Sequence, residues 1–560
     1  MSTPSSPGQA PSLSFSGVDV DREVVVVGAG FSGVRTLIET RSRGLSTVVV
    51  EAGPDIGGTW YWNRYPGART DSQAWVYGFP LAGVRDDWRW EERFATQPQT
   101  YGYIRHVADV YDLWPDIRLN TRVESAVYDE DDRIWRVRTD DGTETTCRFL
   151  VTATGQLSLP YFPDFPGLAD FAGEWYRTSK WPEEGVDLTG KRVAVVGTGA
   201  TAVQVIPIVA QDAAHLTVFQ RTPNYVLPAR NDALSEHDVD VIRKNFDEIF
   251  DRAFAQPFGM DMSASAGRVA ADCTPQEQQQ ILDRGWEAGG FRYLFETFDD
   301  ILTDEAANEL ASEFIRAKIR SIVRDPRTAE LLCPKDYPLA AKRPPLGHYY
   351  YETFNRDNVD LVDLTGHELT IEPAGIRVGD TLHEVDVIVF ATGYDAITGT
   401  LDRIEIRGRG GALLRDRWTE GPRTYLGMLV DGFPNLFMVA GPQSPFANIP
   451  VVSEVCVRWL SELLTAMHER GAVTAEPSSA AVDRFSRLTE EVIDATVLRR
   501  GGKTSWYLGT NIPGKPAAAV MWLGGVGSFR DLCDAESGAG YPEITFDTRD
   551  RQPIASAPDR

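Results

Sequence analysis

Two glycine clusters in this chain have the residue types and spacing to hold phosphates. The first is Gly28, Gly30 and Gly33, spaced GxGxxG, with Phe31 and Ser32 inside it. Gly28 permits a tight turn, Gly30 lets the backbone approach a pyrophosphate, and Gly33 lets a helix pack close to its strand. The helix N-terminus then faces the phosphates. Glu51 ends the next apolar run, about twenty residues on, where an acid suits a ribose hydroxyl of a cofactor without a 2′-phosphate. The second cluster is Gly197, Thr198, Gly199, Ala200, Thr201 and Ala202, spaced GxGxxA. No acid closes its second strand; Gln220, Arg221 and Thr222 stand there instead. A cation at that place suits the 2′-phosphate of NADP, which an acid would repel.

Taken singly, a glycine motif can be a turn without a ligand, and Arg221 can be a solvated surface residue. Taken together, one site without a 2′-phosphate and one with it imply FAD plus NADPH. Hydride transfer from nicotinamide to flavin then follows from the cofactors' own chemistry.

The elements that must carry these clusters are legible in coarse form. EVVVV before Gly28 and RVAVV before Gly197 read as buried parallel strands turning into helices. STVVVEA and LTVFQR are their second strands, and FLVTATG, VDVIVFATGYDA and DGFPNLFMVAGP are further buried strands. The stretch from Gly53 to Gly83 is irregular but aromatic, which suits a loop wrapped around a ligand. From about Asn231 to Cys333 the sequence is charged and helical in period.

The fold class expected is α/β: two Rossmann-like dinucleotide-binding domains, the NADP domain inserted in the FAD domain, with a helical insertion. The expected division is a disordered tail over 1–20, FAD domain over 21–155, NADP domain over 156–230 and helical insertion over 231–333. A second NADP part follows over 334–384, a second FAD part with a C-terminal loop over 385–545, and a tail over 546–560.

With 56 Lys and Arg against 81 Asp and Glu, the net charge is −25, which argues against nucleic acid or an anionic membrane as partner. The five cysteines are scattered without a CxxC pair, so a disulfide framework, a metal site and a dithiol redox centre are not expected. A reduced cytoplasm fits best. The first residues lack the basic and apolar regions of a secretory signal, and no apolar run approaches the roughly 18 residues of a membrane span.

Several longer blocks are more specific than the glycines. They are GAGFSG, GGTWYWNRYPGARTD (57–71), GTGATA, VFQRTPNY, KRPP with YYYETFNRDNV (342–359), FATGYD, GPQSPFANIP and SWYLGTNIPGK. In these the chain resembles type I Baeyer–Villiger monooxygenases from about Val24 to about Gly525. The resemblance implies NADPH- and O2-dependent oxidation of a ketone, with cyclic ketones favoured, to an ester or lactone through a peroxide on the flavin. It implies that Gly58, Thr59, Trp60 and Tyr77 lie at the flavin, and that Arg343 is the active-site arginine with Asp71 beneath it. A guanidinium keeps its proton and can stabilise an oxyanion in a dry pocket. Read without the family, Arg343 could equally be half of a structural ion pair. The resemblance further implies that Lys342 joins Arg221 on the 2′-phosphate and that Trp506 closes over the NADP ribose. Gln156, Phe446 and Ile449 would line the substrate pocket.

One position departs. The family's segment F-x-G-x-x-x-H-x-x-x-W-P reads FAGEWYRTSKWP here, so Arg177 replaces its histidine. That bears on coupling between nucleotide and flavin more than on reaction class. The alternatives are a sulfur or nitrogen oxygenase on the same plan, and a nucleotide sensor without catalysis.

Overall fold

The computed structural model describes residues 12–548. Strand β1 (Arg22–Val27) is buried from Val24 onward. Its valines do not alternate with polar residues because both faces of the sheet are covered. It turns at Gly28 into helix α1 (Phe31–Ser42). Strands β2 (Thr47–Val50) and β3 (Glu144–Thr152) lie parallel on either side of β1. These three are the centre of an eight-stranded sheet.

A second sheet repeats the plan. It contains β4 (Glu174–Arg177), β5 (Arg192–Val196), β6 (His215–Gln220), β7 (Val359–Asp363) and β8 (Val387–Phe390). Its order is β7-β6-β5-β8-β4, and all four pairings are parallel. Helix α2 (Ala200–Asp212) follows β5 as α1 follows β1. The correspondence extends to single hydrogen bonds. Gly28 N–H donates to Val50 C=O at 2.8 Å, and Gly197 N–H to Phe219 C=O at 3.0 Å. Each Ala-Thr-Gly then follows the strand on the other side, β3 or β8.

Six helices lie between Glu236 and Leu332, the longest Glu305–Ile322. They bury Trp286, Tyr293 and Phe314 in the same apolar core as Val193 and Val203 of the second sheet. Thr274 and Glu277 form a reciprocal capping box that starts the helix at Pro275. Helix α3 (Ile449–Arg470) packs against α1; Ser32 bonds Ser453 at 2.8 Å and Arg35 pairs with Glu454 at 2.8 Å. Among the described residues no helix is long and apolar enough to cross a membrane.

Three sequence expectations need correction. The boundary drawn before residue 385 is misplaced, because β8 pairs with β5 and β4 in the second sheet. An apolar run ending in Ala-Thr-Gly fits either unit, and only pairing decides. The tail expected over 1–20 is not a tail from residue 12 on: Leu13 is buried and Phe15 packs its ring 4.8 Å from Phe149. Two apolar side chains anchor a stretch whose Ser and Pro content suggests disorder. Likewise strand Ile544–Asp547 pairs with Thr474–Pro477, past the boundary drawn at 546. The rest of both expected tails, 1–11 and 549–560, lies outside the described residues.

Candidate functional site

The glycines divide into two kinds. A Cβ on Gly28 would sit 2.6 Å from the Ala153 carbonyl, and one on Gly197 would sit 2.6 Å from the Ala391 carbonyl. At Gly33 it would lie 1.8 Å from the Gly28 carbonyl. These glycines are required by packing. Gly30 and Gly199 are not. Both are helix N-caps with ordinary extended backbone, φ −77° and −78°. A Cβ on Gly30 would meet only Gly58, at 3.7 Å, and one on Gly199 nothing within 4 Å. No protein atom excludes a side chain at either place. What requires bare backbone there is a group outside the chain, and a pyrophosphate at a helix N-terminus fits. The residues present therefore suit two dinucleotides.

The side chains of Phe31 and Ser32 are engaged within the protein. Phe31 packs its ring against Tyr77, Phe79 and Tyr103, and Ser32 holds α3. Glu51 is buried; its carboxylate accepts from Ala29 N–H at 2.8 Å and Gly53 N–H at 2.7 Å. It braces the loop, and each oxygen keeps a lone pair for a hydroxyl.

The aromatic loop folds over the first cluster. Gly58 faces Gly30, and a short helix spans Thr59–Trp62. Trp60 donates its indole N–H to the Tyr77 hydroxyl at 3.2 Å. Burial raises the Tyr77 phenol to about 12. At the loop's end, Asp71 accepts from Arg343 Nη2 at 2.6 Å. The Asp71 side chain is 3 % exposed and that of Arg343 30 %. Burial pushes the Asp71 carboxyl up, and the opposed pull of Arg343 is smaller.

Arg343 lies on the wall of a cavity of about 900 Å³. Thr59, Trp60, Asp71 and Tyr77 line it from the first unit, and Gly197 to Thr201 from the second. Gln156, Phe446, Ile449 and Trp506 also line it, with Phe446 and Trp506 edge-to-face at 5.3 Å. Gln156 Nε2 is buried without a protein partner, a donor left for a ligand. Sequence reasoning missed the wall that the helical insertion supplies: Phe258, Met260, Phe291, Leu294 and Phe295. It also missed Tyr65 of the aromatic loop and Gln204 of α2, which line the cavity too. The aromatic spacing in FRYLFETF was the available signal, but aromatic residues at helical spacing are more often core.

Two cations share the second loop's end of the cavity. Arg221 is exposed and Lys342 half-buried. Burial, then the charge of Arg221, pushes the Lys342 ammonium down to about 8. An anion placed between them would relieve that repulsion. Thr198 fastens this loop through its hydroxyl to the Thr222 carbonyl at 2.8 Å. Arg177 ends β4 opposite Phe390, its guanidinium 5.2 Å from the Phe162 ring centre.

Fold and loops together define an oxidoreductase built for two dinucleotides. A family model described as pyridine nucleotide-disulphide oxidoreductase matches residues 25–255. The sequence has no CxxC pair of the kind a disulphide redox centre would use. A Baeyer–Villiger monooxygenase of Pseudooceanicola batsensis is 40 % identical over 537 residues, covering 95 % of this chain and 97 % of that protein. Phenazine N-monooxygenase of Lysobacter antibioticus is 40 % identical over 525 residues, covering 92 % and 96 %. The crystal structure of cyclohexanone monooxygenase from Rhodococcus sp. Phi1 bound to NADP+ superposes with a TM-score of 0.91 at 38 % identity, covering 96 % and 100 %. This chain belongs to the Baeyer–Villiger monooxygenases, enzymes that use FAD and NADPH.

The two kinds of glycine should separate by mutation. Gly199→Ala should fold, hold FAD and melt like the wild type, yet bind NADP+ about tenfold more weakly or worse, about 1.4 kcal/mol. Gly33→Ala should lose thermal stability and FAD together, because its Cβ meets backbone. Calorimetric titration with NADP+ and the flavin-to-protein absorbance ratio check both. Unchanged NADP+ affinity in Gly199→Ala would remove the pyrophosphate from that loop.

Proposed function

We propose that this chain oxidises an uncharged ketone, cyclic by preference, to the corresponding ester or lactone. One atom of O2 enters the C–C bond beside the carbonyl, the other leaves as water, and NADPH becomes NADP+. The observation that carries this reading is the Arg343 guanidinium, fixed by buried Asp71, on a cavity lined by the aromatic loop of the first unit and the glycine loop of the second. FAD is assigned to the first unit, with Glu51 toward its ribose, and NADPH to the second. When bound, the flavin takes hydride from NADPH and activates O2.

The chain's own groups then have distinct tasks. Arg343 donates N–H groups to the oxygen on which negative charge grows as the ketone carbon is attacked. Asp71 holds the guanidinium at one angle, which a flexible arginine would not keep unaided. Arg221 and Lys342 take the 2′-phosphate, supported by their placement at one end of the cavity. Trp506 and the surrounding C-terminal loop cover the nucleotide. Lys515 on that loop bonds Thr398 at 2.8 Å and Asp402 at 3.2 Å, tying it to the segment after β8. Phe258, Phe295 and Phe446 form an apolar end that excludes water and fits a hydrocarbon ring. The five unpaired thiols suit a reducing cytoplasm, the setting we assign.

The likeness to a phenazine N-monooxygenase keeps nitrogen oxidation as a second reading. Oxygen transfer to a heteroatom does not need a cation to hold a growing oxyanion, and the buried Asp71–Arg343 pair favours the ketone.

Arg343→Ala should keep FAD, yet ester or lactone yield should fall about a hundredfold or more, the scale of a lost oxyanion donor. Mass spectrometry over a ketone panel reads this. Undiminished product would sink the assignment of Arg343. For Lys342 the sign follows from its depressed pKa: the ammonium is present below about pH 8 and lost above it. The KM for NADPH should therefore climb as pH rises through that value, while the KM for NADH stays flat. Parallel profiles for the two cofactors would show that Lys342 does not read the 2′-phosphate. Arg177→His should change product formed per NADPH by no more than a few fold, because Arg177 rests on Phe162 and its backbone does the pairing. A wild type that releases almost only hydrogen peroxide, rescued by Arg177→His, would contradict this.

A further inference from the structure

We propose that Tyr65 and Gln204 are positioning residues for the Arg343–Asp71 pair, coupling the second nucleotide loop to the arginine. Neither residue is assigned by the functional reading above, on which the proposal rests only for what Arg343 does.

The chain of contacts begins at the loop. Thr201 follows Gly197 and Gly199 and lines the cavity. Burial raises the Tyr65 phenol, and the nearby Thr201 side chain opposes that rise. Tyr65 donates its own O–H to Gln204 Oε1 at 2.8 Å. Gln204 is one turn beyond Thr201 on α2, so both side chains share a helix face. Its Nε2 donates to the Arg69 carbonyl at 3.1 Å and lies 3.5 Å from Asp71 Oδ1. The other Asp71 oxygen, Oδ2, holds Arg343. The orientation of the Gln204 amide is not arbitrary. A carbonyl and a carboxylate can only accept, so the NH2 group must face them. The oxygen then faces Tyr65, which alone of the three has a proton to give.

Backbone contact reinforces these bonds. Gly67 has φ +84°, and a Cβ there would lie 2.5 Å from the Gln204 carbonyl oxygen. Residues 65–71 are thus pressed against the backbone of α2, and only glycine allows the approach. Any displacement of the start of α2 by a bound nucleotide is passed to the segment that ends in Asp71. Tyr65 and Gln204 are themselves buried. A buried polar network with every partner in place resists rearrangement piecemeal and shifts as a unit.

Coupling between sites is reciprocal in binding free energy. A change at Asp71 must therefore alter nucleotide affinity, and must do so through Gln204 and Tyr65. The test is a double-mutant cycle on the FAD-loaded, oxidised protein, read as the Kd for NADP+ by calorimetry without substrate or turnover. Asp71→Asn should shift that Kd at least threefold in the wild-type background. In Gln204→Met the same change should shift it less than about 1.5-fold. Tyr65→Phe, which removes one hydroxyl and keeps the ring, goes through the same cycle and should give the same loss of coupling. It carries the test if Gln204→Met does not fold. Under turnover, Gln204→Met and Tyr65→Phe should lower ester formed per NADPH several-fold and leave the KM for ketone within twofold.

An equal shift by Asp71→Asn in all backgrounds would overturn the proposal, and so would no shift in the wild type. In the first case Gln204 and Tyr65 touch the nucleotide without speaking to Asp71. A wild type that binds NADP+ but makes no ester from any ketone would defeat the functional reading. The binding cycle would stand, since it uses no ketone.

Discussion

Asp71 carries a carboxyl group that the fold has removed almost completely from water. Leaving such a charge unpaired costs several kcal/mol, so its surroundings are not free to vary. Arg343 must come within hydrogen-bonding reach, and it does so from a segment 272 residues further along the chain. Asp71 belongs to the aromatic loop of the first unit, whereas Arg343 follows the helical insertion into the second unit. The pair therefore closes the molecule across its cavity. Because the arginine is only partly buried, its remaining donors face that cavity. A structural necessity for the carboxylate becomes a fixed cation for the chemistry.

Around this pair the chain uses one local design twice. Each unit sets its glycine turn between two parallel neighbours and against the carbonyl of an Ala-Thr-Gly segment. The near-identical backbone angles at Gly30 and Gly199 follow from that repetition. Two dinucleotides held in equivalent ways need a shared chamber where their reactive ends can meet. Open parallel sheets bind ligands at the carboxyl ends of their strands. Here β5 and β6 both deliver their carboxyl ends to the cavity wall through Val196, Gly197 and Arg221. The helical insertion shares the core of the second sheet and supplies an apolar part of the cavity wall. An apolar wall lowers the local dielectric, which strengthens the interactions of a charged group beside it.

Much of this was legible in the sequence, for reasons that differ by residue. Gly28, Gly33 and Gly197 announce a backbone geometry that no other residue tolerates, and spacing locates them. Arg221 was read from its place after the second strand of the NADP unit, whereas Lys342 needed the longer motifs, since a lone cation is usually just surface. The roles of Phe31 and Ser32 were blurred because spacing identifies a loop but not which way its side chains point. Leu13 and Phe15 were hidden by their neighbours, because composition averages over the residues that matter. Strand β8 was assigned to the wrong sheet for a similar reason: its pattern says buried and parallel, and nothing local says beside whom. The insertion's wall left only the aromatic spacing in FRYLFETF as a signal, because which helix face meets the cavity depends on packing from three parts of the chain.

The segment carrying Arg177 shows why one departure from a family pattern can leave a fold intact. β4 is the edge strand of the second sheet, and it contributes backbone pairing to β8, the strand that leads into Ala391 and its close contact with Gly197. That service does not depend on the side chain at 177. Arg177 itself lies on Phe162, which packs with Trp175, Phe165 and Phe390 in an aromatic cluster over the same strand. A guanidinium over an aromatic face is a favourable contact worth about 0.5–1 kcal/mol where partly exposed. An imidazole at this place would be shorter and could also accept a hydrogen bond. The arginine gives up acceptance and gains reach and stacking. What this edge must preserve is the position of the β8 carboxyl end, and two different side chains can keep it there by different means.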